Sequence, residues 1–425
     1  MFGFLKSADR KMRENAANWL EIADKVWHYR RDVLGAGELA ELEARIGSLR
    51  AEVKARAGAE KLQLGIEHLE ENLRRTGGAI YPKTTIGDNV EFFLVAALVI
   101  LGLRTYVVQP FKIPTNSMWP TYNGMTPEAF TRRADEPGWF AQAARFVSFG
   151  AQTVRVDAPV GGEVLIPVAG SAGGRLTLPY REVAGRTWLV LPTTLKEYTL
   201  LVGDRPVTVR VPQDFDFEWA VRDCFFPNER PSHEPGGVDL ARVLARQGGT
   251  EPGRGRFLRT GRNLEAGERV MAFDILTGDQ LFVDRMSYHF IPPAVGSGFV
   301  FRTGNIEGLA RSYGDQYYIK RLVGVPGDTL EFRGFELQRN GAPITGAAVF
   351  AGNARQEGNH VGYRYEGLLR PGTQVKVGAG EYFALGDNSA NSLDGRYWGT
   401  VPARDVVGRP ILVYFPFTRH WGPAQ

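Results

Sequence analysis

Along the first 75 residues apolar side chains recur at helical spacing. Trp19, Leu20, Ile22, Ala23, Val26 and Trp27 form one stripe, and Leu39, Leu42, Ile46, Leu49 and Val53 alternate steps of three and four. Two readings stay open for this helical region, 1–86: a hairpin packed on itself, or a coiled coil that self-associates. Neither carries chemistry. The pattern then becomes continuous. V-E-F-F-L-V-A-A-L-V-I-L-G-L-R-T-Y-V-V, Val90 to Val108, is the most apolar window of the chain. As a helix rising about 1.5 Å per residue it would be about 28 Å long, close to a hydrocarbon core of about 30 Å. Glu91 and Arg104 stand toward its ends, where long side chains snorkel, and Phe92, Phe93, Tyr106 and Phe111 suit the two interfaces. A transmembrane helix is therefore predicted over 87–109. Lys61, Arg74, Arg75 and Lys83 precede it and only Lys112 follows closely, which places the N-terminal helices in the cytoplasm and 110–425 outside. Arg104 itself pulls the other way.

After Tyr122 the chain reads as β-rich. V-G-G-E-V-L-I-P-V, R-L-T-L-P-Y, T-W-L-V-L, Y-T-L-L-V and V-T-V-R-V are short runs cut by Gly, Pro and Asp, and Y-Y-I-K-R-L-V-G-V, E-Y-F-A-L-G-D-N and I-L-V-Y-F continue the pattern. Between Phe225 and Arg262 a Pro/Gly/Arg-rich stretch reads as loop around one short helix, V-D-L-A-R-V-L-A-R. The 51 Gly and 25 Pro fit many turns.

Composition narrows the function classes. The net charge of +4 comes from interspersed signs with no long basic run, so no nucleic-acid partner is expected. Cys224 is the only cysteine, which excludes an intramolecular disulfide and a Cys-rich metal cluster, and the six histidines show no paired spacing. No metal and no cofactor is expected. The N-terminus M-F-G-F-L-K-S-A-D-R lacks the apolar core and small-residue cleavage site of a removable signal peptide.

Four segments remain: Q-P-F-K-I-P-T-N-S-M-W-P-T (109–121), G-D-Q-L-F-V-D-R-M-S-Y (278–288), Y-Y-I-K-R-L-V-G-V-P-G-D-T-L (317–330) and G-D-N-S-A-N-S-L-D-G-R-Y-W-G-T-V-P (386–402). In order and character, behind an apolar span, they resemble the signature segments of type I signal peptidases, over about half the chain. The resemblance implies a mainly β catalytic domain with a Ser/Lys site, an N-terminal α-helical region and one transmembrane helix. It also implies removal of signal peptides from exported preproteins after small residues, at the outer face of the cell membrane.

The residues suit that chemistry. A serine hydroxyl needs a nearby base, and Ser117 sits in a Pro-bracketed turn just past the span. If 111–117 is extended, Phe111, Ile113, Thr115 and Ser117 share one face, which brings two pocket walls, a hydroxyl donor and the nucleophile together. No histidine lies in these motifs, so Lys320 is the candidate base. On a strand it shares a face with Tyr318 and Leu322, and desolvation there lowers a lysine pKa, while Arg321 points away. By resemblance, Ser392 orients the lysine amine, Asp394 and Arg396 form an ion pair holding their loop, and the Ser117 N–H with the Thr115 hydroxyl forms the oxyanion hole. By the same resemblance Phe111 and Ile113 line pockets for small side chains. Asn116, Ser389 and Gly395 depart from the family's common glycine, arginine and serine.

The expected partners are preproteins and the lipid bilayer, with self-association through the N-terminal helices also open. Residues 110–121 and 265–425 are read as the catalytic β domain and 122–264 as a β-rich insertion, dispensable for chemistry because every candidate lies outside it. Two other classes compete: an inactive membrane-anchored binding protein that works through the insertion, and a self-cleaving serine–lysine regulator.

Overall fold

The computed structural model describes residues 8–82, 85–170, 176–187, 191–229, 240–251 and 255–424. The first seven residues, Lys83, the middle of T-W-L-V-L and much of the Pro/Gly/Arg-rich stretch lie outside them. The described chain divides into two compact units, one ending at Leu101 and one starting at Gly102.

The N-terminal unit holds three helices rather than a hairpin: α1 (Ala8–Arg30), α2 (Ala36–Lys54) and α3 (Ala59–Thr76). Each supplies one apolar stripe to a shared core: Ala16, Leu20, Ala23 and Val26 from α1, Leu42, Ile46 and Leu49 from α2, and Leu62, Ile66, Leu69 and Leu73 from α3. Leu42, Ile46 and Leu49, the middle of the α2 seam, are thus used up inside the bundle. Trp19 and Trp27 sit at its margin, and Trp27 Nε1 donates to Glu43 at 2.8 Å. α4 (Thr85–Tyr106) follows, and Ile86–Val107 is long and apolar enough to cross a bilayer. Its Phe92, Phe93, Leu98 and Ile100 are exposed.

The second unit is mainly β. Its largest described sheet has eight strands. The path runs Val108–Lys112, Gln280–Asp284, Val406–Phe415, Gly298–Arg302, Tyr317–Gly324, Glu381–Leu385 and Val401–Pro402, with Gly422–Pro423 beside Val406–Phe415. Phe111 faces Leu281, Leu281 faces Val413, and Lys320 faces Phe299. All these pairings are antiparallel, and Ile113, Met118, Tyr122, Leu281, Val283 and Val300 close a core on one part of the sheet.

The 122–264 stretch is β-rich, with a seven-stranded sheet that includes Gly162–Gly170, Leu191–Val202 and Gly255–Leu264. It also carries two helices beyond the expected one, now Leu240–Gln247: Trp139–Phe149 and Phe217–Phe225. The former ends on Gly150 at φ 60°, the left-handed stop that glycine adopts without a Cβ penalty. This stretch shares a sheet and a core with the chain beyond it. Arg269–Leu276, outside it, is the central strand of a three-stranded sheet flanked by Thr126–Ala129 and Gln152–Asp157. Val270, Met271, Phe273 and Ile275 of that strand share one buried cluster with Phe215, Phe217, Ala220 and Val221.

Candidate active site

Val108–Lys112 is an edge strand that ends before the proline of I-P-T-N-S. Pro114 has no N–H to continue a ladder. Thr115 is still extended, at φ −112° and ψ 160°, but Asn116–Met118 turns as a single 3-10 unit. The common face expected for 111–117 is therefore replaced by a turn. Ile113 is buried in the core, Phe111 is half-buried edge-on to Tyr317 at 5.0 Å, and Thr115 is exposed. Asn116 ties the turn from within: Nδ2 donates to the Met125 carbonyl at 2.9 Å and Oδ1 accepts from Gly124 N–H at 3.0 Å. Nδ2 also donates to Asp216 Oδ2 at 3.3 Å.

Lys320 comes from Tyr317–Gly324, which runs between Gly298–Arg302 and Glu381–Leu385. Strand alternation puts it on the face of Tyr318 and Leu322. Leu322 is fully buried and the lysine Nζ lies 5.6 Å from the Tyr318 ring centroid. Lys320 is only 4% exposed and Ser117 8%, and Lys320 Nζ donates to Ser117 Oγ at 2.6 Å. Burial disfavours the ammonium form and brings the pKa down to about 8, against the pull of the Asp394 and Asp387 carboxylates and with a small push from Arg396.

The late segment braces this pair residue by residue. A Cβ on Gly386 would fall 2.1 Å from Ser392 Oγ and 2.6 Å from the Ser117 carbonyl oxygen, so only glycine fits between them. Asp387 takes both arms of Arg321, Nε at 3.0 Å and Nη2 at 2.6 Å, behind the lysine strand. Asn388 donates its N–H to the Ser117 carbonyl and its Nδ2 to the Asn116 carbonyl, both at 3.1 Å. Asp394 and Arg396 are fully buried, with Arg396 Nε and Nη2 donating to the carboxylate at 2.8 and 2.9 Å. Asp394 Oδ2 also accepts from Gly386 N–H at 2.9 Å. Burial alone would raise the Asp394 pKa; the charge and hydrogen bonds of Arg396 and the Gly386 N–H outweigh it and hold it low. Ser389 accepts from Arg396 through its Oγ at 2.7 Å and its carbonyl at 2.8 Å. Ser392 lies in the same cage, but its Oγ is buried without a hydrogen-bond partner. The hydrogen bond to Lys320 that the resemblance implies is not formed.

Ser117, Lys320, Ser392, Asp394 and Arg396 thus converge, Phe111 and Ile113 lie at the base of the nucleophile turn, and Thr115 faces solvent beside it. Motif reading assigned no role to Asp387, Asn388 or Asn116, although all lie in the quoted segments. Asp216 gave no sequence signal at all. Among the described residues no group of three His, Cys, Asp or Glu side chains is placed to hold a metal ion. A hydroxyl in contact with a desolvated amine is equipped for acyl transfer at neutral to mildly alkaline pH.

Residues 264–415 match the family described as signal peptidase, peptidase S26. A probable signal peptidase I-1 of Synechocystis is 33% identical over 149 residues, which is 34% of this chain and 66% of that one. A signal peptidase I of Leptolyngbya laminosa is 31% identical over 141 residues, 33% of this chain and 62% of its own. The chain therefore spans just under two thirds of the length of these relatives. A crystal structure of a signal peptidase I from Enterococcus faecalis V583 is 27% identical, with 28% of this chain and 97% of that one aligned and a TM-score of 0.22.

Proposed function

We propose that this chain, whose residues 264–415 match the signal peptidase S26 family, is a membrane-bound serine endopeptidase that removes signal peptides from exported preproteins. The observation that carries this reading is the buried Lys320 Nζ in contact with Ser117 Oγ at 2.6 Å. The neutral amine accepts the Ser117 proton while Oγ attacks the scissile carbonyl carbon. The developing oxyanion is held by the Ser117 N–H and the Thr115 hydroxyl. The C–N bond breaks as the Lys320 ammonium returns the proton to the leaving amine, and water, deprotonated by the same lysine, then releases the acyl-enzyme. Phe111 and Ile113 border pockets that accept small side chains ahead of the cut. Ser392 contributes by turning its unpartnered hydroxyl to the amine once Ser117 is acylated.

Residues 110–121 and 265–425 carry the chemistry in this reading. α4 anchors them to the bilayer within 87–109, with 1–86 in the cytoplasm and the catalytic part outside. The experiment is labelling of the detergent-solubilised chain with an acylating serine inhibitor, located by mass spectrometry. Ser117 is labelled in the wild type, Ser117→Ala is not labelled, and Lys320→Ala is labelled at least about a hundredfold more slowly. Labelling of a different serine, or an unchanged rate in Lys320→Ala, would overturn the assignment.

A further inference from the structure

Asp216 precedes the helix Phe217–Phe225, deep in the stretch that separates the nucleophile from the rest of the site. Its Oδ2 accepts from Asn116 Nδ2 at 3.3 Å and from Asn391 Nδ2 at 2.9 Å. Asn116 is the residue before Ser117, and Asn391 is the residue before Ser392. One carboxylate oxygen therefore joins the nucleophile turn to the Ser392 loop. The support is well packed: Phe215, Phe217, Ala220 and Val221 are fully buried, and Trp219 meets Trp119, two residues past Ser117, edge-on at 5.2 Å.

We propose that Asp216 is a positioning residue that holds the Ser117 turn and the Ser392 loop at working distance, which makes the 122–264 stretch part of the catalytic apparatus. The proposal rests on the Ser117–Lys320 reading above. Burial raises the Asp216 pKa, and the two asparagine amides oppose the rise. The charges acting on Lys320 are those of Asp394, Asp387 and Arg396, not that of Asp216. Asp216 therefore works through geometry. An amide oxygen, with two lone pairs, can accept both hydrogen bonds, so asparagine keeps the bridge without the charge.

The test compares kcat, KM and the pH profile of precursor cleavage for the full chain in micelles, as wild type, Asp216→Ala, Asp216→Asn and Ser117→Ala. Asp216→Ala lowers kcat about tenfold to a hundredfold, the scale of a misplaced reacting group, and leaves KM within about twofold. Asp216→Asn recovers kcat to within about threefold of wild type, with the acidic limb unmoved. Should the alanine variant not fold, Asn391→Ala breaks the same bridge from the other side and shows the same loss in kcat. Wild-type kcat in a folded variant lacking the bridge overturns the proposal. So does an asparagine variant as impaired as alanine with a displaced acidic limb, which would assign the role to charge. Cleavage by Ser117→Ala would instead overturn the nucleophile assignment.

Discussion

Lys320 is neutral only above its lowered pKa of about 8, so the sign of the pH dependence follows directly. Cleavage at limiting precursor rises with pH through about 8 and falls about tenfold per unit below it. Lys320→Arg is expected to be as inactive as Lys320→Ala, down about 10²–10⁴-fold, because a guanidinium does not deprotonate at any working pH. A pH series on both variants checks this, and an active arginine variant would remove Lys320 from the base role. Gly386→Ala probes the close approach: its methyl group would force Ser392 and Ser117 apart, so kcat should collapse while precursor binding persists. Asp394→Ala leaves Arg396 as an uncompensated buried charge, and a loss of about 3–5 kcal/mol is expected, read as a lowered unfolding midpoint in micelles.

At the scale of elements, the strand Arg269–Leu276 carries the main consequence. Sequence reading makes 122–264 dispensable for the chemistry, since no candidate lies in it. The structure gives this strand two neighbours from that stretch and buries Val270, Met271 and Phe273 against it. Replacing 122–264 by a Gly/Ser linker is therefore expected to yield an aggregated or unfolded second unit, visible by size-exclusion chromatography and limited proteolysis. A monodisperse, active deletion would show that the shared core is not needed. The helix Phe217–Phe225 matters for the same reason, because its apolar face fixes the Asp216 carboxylate beside the nucleophile turn.

For the whole molecule the testable property is sidedness. Lys61, Arg74 and Arg75 precede α4, while the catalytic candidates follow it. Protease added to intact spheroplasts should digest the chain beyond 110 and spare α1–α3, whose apolar stripes are buried in their own bundle. Protection of the C-terminal unit would overturn the orientation and the outer-face activity together. Detergent should abolish the difference between the two sides.

What the sequence determined by itself was whatever needs only neighbouring residues. The apolar run of α4 depends on local composition, and the face shared by Tyr318, Lys320 and Leu322 depends on strand alternation. Ser117 and Lys320 could be singled out because their segments resemble those of a known family and suit its chemistry. Tertiary structure alone decided the rest. The 2.6 Å contact joins positions 203 apart, and the fit of Gly386 against Ser392 and Ser117 exists only after the late segment folds over the nucleophile turn. The 3-10 turn at Asn116 also depended on partners. Asp216 is the extreme case: a carboxylate 100 and 175 positions from the two asparagines it joins, in a stretch with no motif, whose role depends on a core shared between distant segments. Periodicity reports which face of an element is apolar; it does not report which distant element that face will meet.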